Sequence, residues 1–407
     1  MCSIATYGPG LPTVNGFWSR CGSAYLGSMQ HLETQTVIVG AGIVGMATAL
    51  DLARAGQRVH VLDRSPAPGA ESSGAAAGML APQHESERPG PFLDLCLQAR
   101  DLWVETAADL AASSGIDPEH RSDGFLHLAL DEKEWTAFQE RMAWQRDAGL
   151  PVEPLSASET ARRFPMVSRD IAGALYYAGD HHLHTDRALE AYAGACRVAG
   201  VTFLWEQEVR DFLMRQGPKG TRVAGVHTSG LHIEAEHTVL AAGAWTGRLT
   251  GALGAPLPVE PVRGQAVTAP LTATEGLPPC LLGSTRGYLV PRSGDQILAG
   301  ATVEHVGFDR STTPSGVGRV WKAAGRILPV LEERRPAQRW AGLRPGTPDG
   351  LPIVGPLPDV EGVWVNTGHF RNGILLAPRT GRMIARWITG SVPGIDPLPF
   401  SPSRFLF

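Results

Sequence analysis

Apolar and polar positions along the chain follow two periods, and the places where the period changes mark the elements. Thr36–Val39 is a short β-branched run that enters a glycine turn, Gly40–Gly45. From Ile43 the apolar spacing becomes helical and stops at Gly56, and Arg58–Arg64 then alternates as a second strand. This is a βαβ unit. Phe92–Ser114 reads as a long helix, with Phe92, Cys96, Trp103, Ala107 and Leu110 near one face. Gly124–Leu130 reads as a strand and Glu132–Gly149 as an exposed helix. Thr185–Gly200 has a Thr-Asp start and a glycine stop, again a helix. Strands joined by turns are predicted over Val201–Leu213, Thr221–Gly230 and Gly230–Trp245, with later ones over Gly287–Arg292 and Gln296–Glu304. Gly362–Gly390 reads as a strand, a glycine-bounded turn and a helix. With βαβ signals first and strand-rich stretches later, the pattern predicts a mixed α/β chain, a doubly wound domain interrupted by an antiparallel sheet.

Composition narrows the function classes. The 407 residues suit roughly two to three domains. A formal net charge of −4 argues against a nucleic-acid binder, which carries a basic face. The five cysteines, Cys2, Cys21, Cys96, Cys196 and Cys280, are scattered without a CxxC pair, so no metal or disulfide framework is expected and a reducing cytoplasm fits. No apolar run reaches the roughly 18 residues of a membrane span. The first 28 residues lack the charged and apolar regions of a secretory signal and read as part of a flexible leader, with Met29 the expected natural start.

The glycine turn is the first chemical motif. In Gly40-x-Gly42-x-x-Gly45, Gly40 permits the tight turn, Gly42 lets backbone approach a pyrophosphate, and Gly45 lets helix and strand pack closely. The helix N-terminus then faces the phosphates. Asp63, eighteen residues after Gly45, ends the second strand where an acid meets a ribose. The motif alone does not separate FAD from NAD. His237–Trp245, an apolar strand ending at Gly243, resembles the second dinucleotide segment of glutathione-reductase-like flavoproteins and favours FAD. In Gly368–Pro378, Gly373 opens an apolar helix whose N–H groups suit the pyrimidine end of a flavin, with Arg371 adding positive charge. Arg344, in "WAGLRPGTPDGLP", is a lone arginine among apolar residues, Gly and Pro, and such a cation needs a partner. The segment reads as a stiff loop. His181, His182 and His184 read as a polar turn before a helix rather than a metal site, and Asp349 as a turn residue.

"GAAAGMLAP" (Gly74–Pro82), "WAGLRPGTPDGLP" (Trp340–Pro352) and "GHFRNGILLAP" (Gly368–Pro378) together resemble the D-amino-acid-oxidase family of FAD enzymes, and most of all its glycine-oxidase branch of thiamine biosynthesis. The resemblance runs from Thr36 to Thr389. It implies noncovalent FAD, with Ile43 and Val44 at the pyrophosphate turn, Asp63 and Arg64 at the adenosine ribose, and Val209 at the adenine. Ser72, Ser73, Ala77, Gly78 and Met79 would pass beside the flavin, and His369, Phe370, Arg371, Asn372, Gly373, Ile374 and Leu375 would meet its pyrimidine end. It further implies Arg344 as the clamp for a substrate carboxylate, assisted by Tyr288, with Arg371 and Met79 close to substrate. The implied activity is oxidation of glycine, or another small amine or D-amino acid, by O2, supplying imine for the thiazole of thiamine, with the thiazole-forming machinery as a partner. A homotetramer is implied. A D-amino-acid or sarcosine oxidase or dehydrogenase, and a flavin-binding protein without turnover, remain alternatives; Arg286 and Val303 fall where members vary. The expected division is a leader 1–33, an FAD-binding domain from 34–112, 181–256 and 340–392, a substrate domain from 113–180 and 257–339, and a tail 393–407.

Overall fold

The structure, a computed structural model, describes residues 29–218 and 220–405. Two eight-stranded sheets organise them. The first is built outward from the strand Gln30–Val39. Strand Val59–Leu62 lies parallel on one side of it and Leu231–Leu240 parallel on the other. Thr202–Leu204 extends one edge and Val363–Thr367 with Ile353–Pro356 the other, while the hairpin Asp211–Gly217 and Gly220–His227 folds onto Leu231–Leu240. The chain leaves Gln30–Val39 toward Val59–Leu62 through the helix Ile43–Arg54, so the strand order reverses between Gln30–Val39 and Leu231–Leu240. Ligands of doubly wound sheets sit at such a reversal, beyond the carboxyl ends of the strands.

The first strand is longer than its β-branched run. It starts at Gln30, in register with Leu231, so residues 30–33 belong to the sheet and not to the expected leader. The rest of that leader, residues 1–28, and the choice between Met1 and Met29 lie outside the described residues.

Helices Ile43–Arg54, Pro91–Ser114, Thr185–Val198 and Gly373–Ile388 pack together in one apolar cluster on this sheet. Gly381 lets two of them touch: a Cβ there would stand 2.8 Å from the Thr48 backbone nitrogen. Pro378 sits inside Gly373–Ile388 and lacks the N–H that would bond the Ile374 carbonyl. Trp103 Nε1 donates to that carbonyl and to that of Leu375, each at 3.0 Å, so the proline leaves no orphan there.

The second sheet runs Gln338–Gly346, Glu260–Pro270, Gln296–Gly300, Gly287–Arg292, Leu281–Ser284, Phe125–Ala129, Gly173–Tyr177 and Glu153–Ser156. It is antiparallel except where Leu281–Ser284 pairs in parallel with Phe125–Ala129. The helix Pro314–Ile327 covers part of one face. Two expectations change here. The Arg344 segment is a strand and not a loop: Gln338–Gly346 pairs along its whole length with Glu260–Thr268. It lies at the sheet edge, where the missing N–H of Pro345 is tolerated. The expected domain limit between 339 and 340 therefore cuts through this strand, which pairs with the antiparallel sheet. His181–His182 is also a strand, paired with Met79–Leu80, and His184 holds the N-cap position of the helix that begins at Thr185 without a side-chain capping bond.

Candidate active site

A cavity of about 390 Å³ lies between the two sheets. At one end are the carboxyl ends of the parallel strands. Gly40 has φ +113°, and a Cβ there would fall 2.5 Å from the Ala241 carbonyl oxygen; only glycine lets the two strand ends approach. Gly45 packs against the same turn, its Cβ position 2.0 Å from Gly40 O. Gly42 differs, since a Cβ there would meet only Ser73 Oγ, at 3.1 Å, and otherwise point into the cavity. Gly42 gives the helix that it opens no capping side chain, and the first turn holds no acidic residue, which leaves the N–H groups after Ile43 open to an anion. Ser73 Oγ accepts from Ile43 N at 3.1 Å and ties the glycine turn to the small-residue loop beside it.

Asp63 fixes this end. Its two carboxylate oxygens accept from Ala41 N and Ser65 N, each at 2.8 Å, and it still lines the cavity. Arg64 stacks on the ring of Trp245 at 4.0 Å and donates to Glu71 Oε1 at 2.5 Å, so it forms a wall. Val209 and Gly243 complete this end. Ser72, Ser73, Ala77, Gly78 and Met79 line the middle, below the second sheet. Trp340 Nε1 donates to Ala75 O at 3.1 Å and holds the sheet down onto that loop.

The far end is built from charged and aromatic side chains. Arg344, on the edge strand, donates from Nη1 to Thr302 O at 3.0 Å. Its guanidinium lies over Gly264 on the neighbouring strand: a Cβ on Gly264 would come within 2.2 Å of Nη1 and 2.3 Å of Nη2. Tyr288 is seated the same way over its cross-strand partner Gly300, whose Cβ would stand 2.4 Å from the hydroxyl. Burial pulls the Arg344 pKa down, and the adjacent Tyr288 pulls it back up. Burial raises the Tyr288 pKa and Arg344 opposes it, so the hydroxyl keeps its proton and can donate. Phe370 holds a left-handed backbone, φ 46°, and its ring has the Arg344 guanidinium at 5.9 Å and that of Arg371 at 5.5 Å. Such a conformation is rare for an aromatic residue and persists where the surroundings impose it. Arg371 Nη2 stands 3.0 Å from Glu85 Oε2. His369 is buried, its Nε2 paired with Thr380 Oγ1 at 3.2 Å, and burial drops its pKa to about 3, so its ring is neutral near pH 7.

Most residues expected at the site line this one cavity: Gly40, Gly42, Ile43, Val44, Asp63, Arg64, Ser72, Ser73, Ala77, Gly78, Met79, Val209, Gly243, Tyr288, Arg344, and His369 through Ile374. Gly45 and Leu375 do not. Gly45 is spent on packing against Gly40, and Leu375 turns into the helical core with no exposure. The sequence reading missed Glu85, Trp245 and Arg248 in the lining, and the supporting Gly264 and Gly300. Asp349 is a turn residue that accepts from Leu351 N and pairs with Arg404. The three expected turn histidines are split, with His181 Nδ1 3.2 Å from His120 Nε2. Away from the cavity, His31, His232 and Glu234 bring ligand-type atoms within 4.8 Å of one another, but the Glu234 carboxylate is already engaged by Arg215 at 2.7 Å.

An open helix end, a glycine that faces empty space and a strand-end aspartate fit a dinucleotide lying along the cavity. The class follows from this fold and site: the chain belongs to the FAD-dependent oxidoreductase family known as DAO, whose profile matches residues 35–387. Within it the chain is similar to the glycine oxidase of Pseudomonas aeruginosa, 35% identical over 91% of this chain and 99% of that one. It is also similar to a bifunctional ThiO/ThiG protein of Trichormus variabilis, 34% identical over 91% of this chain and 55% of that one. The crystal structure of glycine oxidase from Geobacillus kaustophilus superposes with a TM-score of 0.86 at 33% identity, covering 92% of this chain and 99% of the other.

Proposed function

We propose that the chain oxidises glycine with O2 and water to glyoxylate, ammonia and hydrogen peroxide. The carrying observation is Arg344, a guanidinium facing the cavity that donates to a backbone carbonyl, has the Tyr288 hydroxyl beside it and forms no salt bridge to a carboxylate among the described residues. A carboxylate is the group that a half-buried arginine fork and a phenol together accept. FAD, when bound, supplies the two-electron redox chemistry. Gly42 and the helix end that it opens would hold its pyrophosphate, Asp63 its ribose, and Ser73 through Met79 would flank its ring.

The residues of this chain do the rest by placement. Arg344 binds the substrate carboxylate, and its bond to Thr302 O fixes the guanidinium plane. Tyr288 donates a second hydrogen bond. Together they leave the substrate few orientations, so the carbon bearing nitrogen points toward the small-residue loop. The Phe370 ring, 5.9 Å from the Arg344 guanidinium, shields the clamp from water, which strengthens the ionic bond. His369, its pKa held at about 3 by burial, is too weak a base to take the ammonium proton at pH 7, so the amine must arrive neutral or lose its proton to water, and turnover should rise with pH. The three described cysteines, Cys96, Cys196 and Cys280, are buried and none lines the cavity, which supports noncovalent cofactor.

The reading carries with it a cytoplasmic homotetramer that passes imine to thiazole assembly. The likeness to a bifunctional ThiO/ThiG protein supports the last part. No helix among the described residues is long and apolar enough to cross a membrane. A peroxide-coupled assay under air with glycine, sarcosine, D-alanine and D-proline tests the activity. Peroxide with glycine is expected; flavin reduced without air but no peroxide in air makes the chain a dehydrogenase instead.

A further inference from the structure

The substrate end of the cavity holds a third charged group, Glu85, which the clamp does not use. Its side chain is 6% exposed, against 43% for its ion-pair partner Arg371. The two atoms are 3.0 Å apart but outside hydrogen-bond geometry, so Glu85 Oε2 is buried without a hydrogen-bond donor. A carboxylate in that state is costly unless something holds it there. Glu85 ends the four-residue helix Pro82–Glu85, and the side chains of Asp180, Arg141 and Gln145 tie that turn down. The Asp180 carboxylate accepts from Gln83 N and His84 N, each at 3.2 Å. Arg141 Nη2 donates to the carbonyls of His84 and Ser86 at 3.0 and 2.9 Å, and Gln145 Nε2 to that of Gln83 at 2.8 Å. The carboxylate is therefore delivered to the cavity by its backbone, and the more exposed Arg371 comes to meet it.

We propose that Glu85 sets the charge of the substrate end and so restricts the enzyme to amines bearing a single carboxylate. Arg344 and Arg371 contribute two positive charges and Glu85 one negative, leaving one, the complement of one carboxylate. A second carboxylate on the substrate would find Arg371 already paired and the Glu85 charge beside it. The mutual effects of the three groups agree: Arg371 pushes the Arg344 pKa down and Glu85 pushes it up. Glycine and small neutral amino acids fit this balance, whereas aspartate and iminodiacetate do not. The proposal rests on the amino-acid reading of the cavity and names the selectivity of that site.

Acetate and malonate, titrated into the FAD-loaded protein and followed by flavin absorbance, test it without turnover. The wild type should prefer acetate. Glu85→Gln frees Arg371 and should move the malonate-to-acetate affinity ratio at least tenfold toward malonate. A ratio unchanged in Glu85→Gln overturns the charge-setting role while the amino-acid reading stands. A wild type that binds neither anion overturns both. Should Glu85→Gln fail to load FAD, Arg371→Gln decides, since it leaves Arg344 facing an unpaired Glu85. Acetate affinity at least tenfold weaker then supports the role, and unchanged acetate affinity overturns it.

Discussion

The two ends of the cavity use glycine for opposite purposes. At the nucleotide end, Gly40 and Gly45 let main chain meet main chain, and Gly42 leaves space for something that is not protein. At the substrate end, Gly264 and Gly300 leave space for the protein's own side chains, the Arg344 guanidinium and the Tyr288 ring. One end is made of backbone and recognises by shape and the helix dipole; the other is made of side chains and recognises by charge. The redox group belongs where backbone can surround it, and substrate identity where side chains can vary.

Gly45→Ala and Gly42→Ala break that comparison most strongly. The added Cβ of Gly45→Ala lies 2.0 Å from a backbone oxygen that cannot move without its strand. About 3 kcal/mol or more of stability should be lost, visible as a large fall in melting temperature of the apoprotein. Gly42→Ala meets only the Ser73 hydroxyl, at 3.1 Å, and its φ of −71° suits alanine. It should melt close to wild type as apoprotein yet hold FAD at least tenfold more weakly. Wild-type FAD affinity in Gly42→Ala would sink the assignment of that space to the cofactor.

Arg344→Leu tests the other end. Loss of a desolvated charged hydrogen-bond pair, about 3 kcal/mol, is roughly a hundredfold. It should appear in KM for glycine, with FAD content unchanged. Gly264→Ala should act more mildly on the same group, because the guanidinium can swing off the new methyl at the expense of its bond to Thr302 O. A rise in KM of about tenfold with normal FAD loading is expected. Equal KM values for Gly264→Ala and wild type would mean that the seat of Arg344 does not matter.

The same contrast decides what could be read from sequence. The nucleotide end is local: Gly40, Gly42, Gly45 and Asp63 fall within one βαβ unit, and the change from strand to helix period marks their place. Arg344 was legible because a cation in an apolar segment demands a partner. Its strand was not, because Pro and Gly hide an edge strand whose register is set by Glu260–Thr268. Gly264 and Gly300 gave no signal, since what stands over each arrives from a neighbouring strand. Glu85 was missed for the same reason: Arg371 lies far along the chain, and a glutamate before Ser86 in "PQHESE" reads as solvated surface. Arg371 lines the cavity, but its ion pair with Glu85 could not be seen in the sequence.

The smallest effect concerns two buried histidines, His369 at the cavity and His127 in the core behind its substrate end. His369 keeps a partner in Thr380, whereas His127 is buried among Phe125, Phe138 and Tyr177 with neither ring nitrogen hydrogen-bonded. Burial lowers both pKa values to about 3. The folded pKa lies below the ordinary 6.5, so each ring contributes stability that is present above about pH 6.5 and is lost as pH falls toward 3, while the unfolded chain takes up the proton. Asp180, pushed up to about 7 by burial, has the opposite sign. Between pH 7.5 and 6 one such histidine costs about 1 kcal/mol. His127→Phe should therefore flatten the fall of melting temperature over that range by about that amount, with no loss at pH 7.5, since no hydrogen bond is broken. His369→Phe should flatten it equally but lose stability at pH 7.5, because the His369–Thr380 hydrogen bond is lost, although Thr380 Oγ1 still donates to Leu376 O. Identical pH profiles for His127→Phe and wild type would show that His127 takes its proton in the folded state, and that the core behind the substrate end is wetter than its packing indicates.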